Sequence, residues 1–355
     1  VWIMAYTTID KPSDYFNTLL YTGDNSNRSF TGVGFQPDLT WIKARNNTTW
    51  HLLYDAVRTA GTGKELHSNS TAAEGASNSS LYGYLSSFDS DGFSTVNGSN
   101  STDALNQSGK TYAAWNWKAG TSFTNDASAT GIGTIDSTGS VNTDAGFSII
   151  SYTGNATTNA KVAHGLGVAP SMMIVKKRNG AFNWGIYHKT LTAHKLITFT
   201  TNAPDDDASY WNDVEPTSSV FNLGSGALTN GSGSTMIAYC FAEKKGYSKI
   251  GSYVGNGNND GTFIYTGFKV GWVMTKISSG SDNWLISDNK RLGYNEKNQQ
   301  LFPNLNNAEQ TNVRYDLYSN GFKVVNNNGE INTSGATYIY MAFAENPFVT
   351  STGVP

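Results

Sequence analysis

The side chains best placed to do chemistry in this 355-residue chain lie in one stretch. Asp205, Asp206 and Asp207 are followed closely by Tyr210 and Trp211. Aromatic faces can stack on a sugar ring, and carboxylates can accept its hydroxyls. An adhesive surface loop centred on Tyr210 and Trp211 is therefore expected. The three acids would then be solvated, as acidic runs in loops usually are, with no metal bound. His164, His188 and His194 fall nearby, but their spacings of 24 and 6 match no metal-ligand pattern, so separate polar histidines are expected. Asp89-Ser90-Asp91-Gly92 opens like a calcium loop and lacks the later acids, which leaves a turn before a strand. Glycoside hydrolysis needs two carboxylates facing a cleft. Asp55 and Asp288 occupy matching places, but His188 stands at the third. There is no Gly-x-Ser-x-Gly elbow and no phosphate loop. No catalytic residue is assigned, and no enzyme is expected.

The elements that must position these residues repeat. Gly34 to Lys43, Gly167 to Lys176 and Gly267 to Lys276 are three versions of one ten-residue phrase. Each is preceded by Tyr-x-Gly (Tyr21, Tyr152, Tyr253) and followed by a polar turn with a tryptophan, Trp50, Trp184 or Trp284. Each copy ends in an alternating strand, at Thr111–Trp117, Thr235–Phe241 and Thr337–Phe343. Alternation puts Ala113, Trp115 and Trp117 on one face, as it does Ile237, Tyr239 and Phe241, and Ile339, Met341 and Phe343. Such repetition points to a modular fold. The fold class expected is all-β, with three tandem antiparallel β-sandwich domains of jelly-roll or lectin-like type. The boundaries read as 1–118 with a short N-terminal arm, a Gly/Ser/Thr-rich linker at 119–145, then 146–245 and 246–355. Gly34, Lys43, Trp50, Gly167, Lys176, Trp184, Gly267, Lys276 and Trp284 are taken as structural residues of the repeat, each lysine stem packing on an aromatic.

Composition narrows the functional classes. Charged residues are 14%, net charge is −3 and pI about 6.0, which disfavours a nucleic-acid partner. The single cysteine, Cys240, excludes an internal disulfide and reads as a core residue. No apolar run reaches the length of a bilayer span. Met4 reads as a natural start without an export signal, a combination expected of a protein released by lysis.

The wording of several segments is also familiar. Met4 to Pro12, Thr40 to Arg45, Ser87 to Phe93, Tyr112 to Gly120, Gly146 to Gly154 and His164 to Pro170 together resemble a repeat family of tailed bacteriophages of marine bacteria and cyanobacteria. The resemblance implies a virion structural protein with lectin-like β-sandwiches, exposed on the particle as a tail-fibre, tail-associated or head decoration component. It supplies no catalytic residue and no cofactor. The chain lacks the long fibrous segments of large tail-fibre relatives. Implied partners are other virion proteins and host-surface polysaccharide, with several copies or a homo-oligomer on each particle and no membrane insertion. The alternatives are a purely architectural cement protein without a ligand and a polysaccharide depolymerase.

Overall fold

A computed structural model describes residues 6–99, 105–292, 295 and 297–352; the start at Met4 lies outside them. The protein is all-β, 43% strand and 8% helix, with several antiparallel sheets. Three of these contain four strands in a common order. The first runs Phe16–Thr22, Thr111–Trp117, Leu39–Ala44, Leu52–Asp55. The second contains Phe147–Thr153, Thr235–Phe241, Met172–Lys177, Gly185–His188, and the third Ser248–Val254, Thr337–Pro347, Phe268–Ile277, Trp284–Asp288. The registers agree as well: Tyr21, Tyr152 and Tyr253 face Tyr112, Met236 and Tyr338, while Lys43, Lys176 and Lys276 face Ala113, Ile237 and Ile339.

The closing strand lies inside each sheet and is buried on both faces, so its side chains divide by parity. Tyr112 and Ala114 enter a core private to the first sheet, shared with the outer strands Arg28–Phe30, Gly92–Val96 and Tyr84–Asp89. Met236, Ala238 and Cys240 do the same in the second, and Tyr338, Tyr340 and Ala342 in the third. The other parity meets in one common core. Trp115, Trp117, Tyr239, Phe241, Met341 and Phe343 belong to a single cluster drawn from all three sheets. Trp117, Phe241 and Phe343 hold the same position in their strands and touch one another edge to face, with centroids 6.3, 5.8 and 6.0 Å apart. The sheets thus surround a pseudo-threefold axis marked by three rings.

The Tyr-x-Gly signature has a steric reason. A Cβ at Gly23, Gly154 or Gly255 would lie 2.2–2.4 Å from the carbonyl oxygen of Gln107, Gly231 or Thr333, closer than any side chain tolerates. The tyrosine hydroxyls donate to the carbonyls of Leu105, Thr229 and Ile331 at 2.7, 2.6 and 2.9 Å. Beside them Asn106, Asn230 and Asn332 accept from the backbone N–H that follows each glycine. Each asparagine lies five residues before its closing strand, a regularity visible in the sequence.

One boundary needs correction. Residues 119–145 are not a linker. They form strands Thr121–Asn125 and Ser137–Asn142, which pair with each other and then with Phe147–Thr153, widening the second sheet to six strands. Ser and Thr alternate there with side chains that reach the sheet face, and a β-hairpin built of small polar residues has a linker's composition. Between the two strands, Ile135 forms an isolated parallel bridge to Val162.

Candidate functional site

Between adjacent sheets the loop of one closes over the next, always in the same rotational sense. Trp184 Nε1 donates to His67 O and Trp284 Nε1 to Thr198 O, each at 2.8 Å. Lys176 Nζ donates to Thr71 O at 2.9 Å and Lys276 Nζ to Thr201 O at 3.2 Å. Lys43 Nζ instead stays local, on Ala44 O and Asn47 O at 2.8 and 3.1 Å. Burial drives these amines down, Lys43 to about 7 with Glu309 opposing, Lys176 to about 8, and Lys276 to about 8 with Asp282 opposing. The Lys176 ammonium lies 5.9 Å from the Trp184 ring centre, so this lysine does meet an aromatic. Gly34, Gly167 and Gly267 open the lysine strands at φ of 90°, 71° and 82°, a left-handed turn that favours glycine.

Trp50 departs from the expected alignment. Leu53, Ile186 and Ile286 occupy matching places, bridged to Leu66, Ile197 and Leu301. Two residues earlier stand His51, Trp184 and Trp284. His51 is therefore the buried counterpart, and Trp50, one residue earlier, is turned to the opposite side and 41% exposed. Trp41 fills the space that His51 leaves: its Nε1 lies 2.9 Å from His51 Nδ1, where the other sheets have Ile174 and Met274.

The buried charges also serve the seams. Asp55 pairs with Arg58 at 2.5 Å and Asp288 with Arg291 at 2.8 Å, all four side chains sealed. Tyr239 of the second sheet donates to Asp55 at 2.7 Å, and Trp115 of the first donates to Asp288 at 3.0 Å. Burial alone would raise the Asp288 carboxyl; Arg291 and Trp115 outweigh it and hold it below its ordinary value. Glu74 bridges Arg58 and Arg178, and Glu309 bridges Arg291 and Arg45, so two seams carry an Arg–Glu–Arg chain. The third has His188, whose Nε2 lies 3.3 Å from Tyr340 O, and Leu191 three residues on. The other histidines face separate partners, His164 the Thr217 carbonyl at 3.0 Å and His194 the Asp213 carboxylate at 3.2 Å. Among the described residues no three His, Cys, Asp or Glu come together as metal ligands. Asp91 clasps the N–H groups of Gly32 and Gly34 at 3.0 and 2.6 Å.

The loop expected to carry adhesion is corrected in its main residue. Trp211 is 1% exposed and packs edge-on against Tyr187 within the second sheet's private core, because the helix Ala208–Trp211 points its last side chain inward. Asp207 caps that helix, and Asp205 and Asp206 pair in a two-residue strand with Leu196 and Lys195. Tyr210 is half-buried and donates to Asp205 at 3.1 Å. The acids remain at the surface without an indole beside them.

Among the described residues, the indole that reaches the surface is Trp50. It lines a recess of about 200 Å³ together with Asn47, Thr48 and Thr49 of its own turn. Ser77, Tyr82 and Asn306 complete the wall, Asn306 coming from the third sheet's loop. Tyr82 is held by the short helix Ser79–Tyr82, capped by Asn78. The Trp50 ring leans on buried His67, with centroids 4.8 Å apart. Burial pushes His67 down to about 4, so the ring is neutral near pH 7; it is fixed by His51 O at 3.1 Å and Ser77 Oγ at 3.0 Å. Asn47 donates to Gln107 Oε1 at 3.0 Å, which fixes its amide. The Thr49 Oγ1 is buried without a hydrogen-bond partner. The sequence signal is spacing: Trp184 and Trp284 stand eight positions after Lys176 and Lys276, whereas Trp50 stands seven after Lys43 and His51 stands eight. A larger groove of about 710 Å³ lies over the hairpin of the second sheet, walled by Thr, Ser and Asn side chains with Asp126 and Asp136. Both carboxylates there accept from backbone N–H groups of the helix Ala127–Thr130.

Comparison with curated proteins gives no match. Comparison with solved structures likewise gives none. A family model described as a domain of unknown function, DUF7483, matches residues 11–347, and the chain belongs to that family.

Proposed function

We propose that this chain is a non-enzymatic structural component of a bacteriophage particle, exposed on the tail or head, that contributes adhesion to host-surface glycan. In this reading its body is three β-sandwich units copied in tandem and closed around one axis. The observation that carries the adhesive part is the Trp50 recess, where an exposed indole meets a tyrosine, two amides and three hydroxyl side chains. An aromatic face with convergent neutral hydrogen-bonding groups is the chemistry that sugar recognition uses. The sealed ion pairs support a passive role, since each carboxylate of a buried pair is already spent on an arginine and a neighbouring sheet.

A second reading, an architectural decoration protein, is favoured by a different surface. Phe263, Tyr265 and Tyr318 are exposed together on the third sheet's outer strands, with Phe263 and Tyr318 in edge contact at 5.9 Å. Aromatic patches of this kind suit protein interfaces. A glycan array on the isolated protein and on Trp50→Ala separates the readings. Retention lost in the variant supports adhesion; no retention of the unaltered protein at high concentration leaves the architectural reading.

A further inference from the structure

We infer that the Trp50 recess takes one neutral pyranose ring per chain and discriminates against acidic sugars; this rests on the adhesive reading above. Three observations carry it. First, size: at about 200 Å³ the recess is smaller than the roughly 300–1,000 Å³ sites that hold drug-sized ligands, so it suits a single ring.

Second, charge: every wall residue is neutral. Three ionisable groups lie behind the wall, Lys43 beneath Asn47, Glu65 accepting from Ser77 N at 2.8 Å, and His67 against the Trp50 ring, where burial keeps the imidazole neutral; all three are sealed from solvent. A uronate or sialate would lose hydration without gaining a partner, a cost that a neutral hydroxyl-bearing ring avoids.

Third, number: at the two corresponding turns the residue before the buried indole is Asn183 or Asn283. Only the first turn carries an outward indole, so the three repeats give one such recess. Avidity must then come from several copies of the chain on a surface, by the effective-concentration effect of linked weak sites.

The test is a titration followed by the indole N–H signals of the nine tryptophans. The probes are the methyl glycosides of glucose, galactose and mannose, then methyl glucuronide and methyl sialoside. At least one neutral glycoside should shift a single indole signal, the one missing from Trp50→Phe, with millimolar affinity and one ring per chain. The acidic probes should bind at least about tenfold more weakly, a difference of roughly 1.4 kcal/mol. Trp50→Ala should abolish the response while the remaining indole signals stay in place, which shows that the fold persists. Equal or tighter binding of the acidic probes, a different responding indole, or three rings per chain would overturn the inference. A parallel retention assay on immobilised glucan, galactan, mannan and alginate keeps the two claims apart. Trp50-dependent retention on alginate alone sinks the neutral-ring inference and spares adhesion; retention on none of the four sinks both.

Discussion

The turn at Trp50-His51 and the turn at Asn183-Trp184 occupy the same place in the repeat and put their indoles on opposite sides. In the second, Trp184 is buried and its N–H ties one sheet to the loop of the sheet before it. In the first, His51 takes that buried place, the backbone carbonyl of Phe302 faces it, and the indole one residue earlier faces water. Strand geometry makes this an all-or-none choice, since a shift of one residue reverses the face. The comparison shows how one place in the repeat presents an indole at the surface without loss of its core: His51 holds the seam position, Trp41 stands where the other sheets have Ile174 and Met274, and Trp50 is exposed.

The largest expected effects lie on the buried side. Trp184→Ala or Trp284→Ala should cost about 3–5 kcal/mol, the usual range for a buried Trp cut to Ala, read from denaturant unfolding. Asp288→Ala should cost a similar ~3–5 kcal/mol, because it removes the buried carboxylate partner of Arg291, leaving only Glu309, and strands the Trp115 N–H in a dry seam. Trp211→Ala belongs in the same group despite its place beside a surface acidic loop, and a change below about 1 kcal/mol would contradict its burial.

Acid should act next. His67 and His188 are both held down to about 4 by burial, so each of these rings is less protonated in the folded than in the unfolded chain between about pH 4 and the ordinary histidine value near 6.5, while Asp38, raised by burial to about 6, works in the opposite sense. The histidines' contribution is fully present above about 6.5 and is lost as pH falls toward 4, on the order of 3 kcal/mol for each. The depressed lysines work in the same sense at higher pH, with stability rising from about 7 upward as the unfolded chain's amines remain protonated. A melting temperature that is flat from pH 4 to 7 would count against the burial of these rings.

Overfilling the histidine seat sharpens the comparison further. His51→Trp alone should cost about 1–3 kcal/mol, since Trp41 already fills that space. Adding Trp41→Met, the residue type at the third sheet's matching place, should recover most of it. The smallest effect is Trp50→Ala, expected within about 0.5 kcal/mol in stability while it removes the proposed sugar binding.

Much of this arrangement was legible in the sequence. The spacing from Gly34 to Lys43 and its two echoes matched true structural equivalents, and the parity of the closing strands sorted their side chains correctly. Apolar residues at both parities of Thr235–Phe241 were already a sign of a strand buried on two sides, but nothing local says that the second side belongs to other repeats. The hairpin at 119–145 was missed because Ser, Thr and Gly serve strand and linker alike. Trp50 was misaligned because residue type was matched ahead of spacing: His51, not Trp50, stands eight positions after its lysine, as Trp184 and Trp284 do. Trp211 looked like a surface residue from its acidic neighbours, whereas a single turn of helix was enough to bury it.

The contact among Trp117, Phe241 and Phe343 has an evolutionary consequence. Copies that bury their rings against one another cannot drift independently: a substitution in one changes the surroundings of the other two. With three versions of one motif meeting at a shared centre, the room for difference lies at the rim, where one turn carries Trp50 and the matching turns carry Asn183 and Asn283.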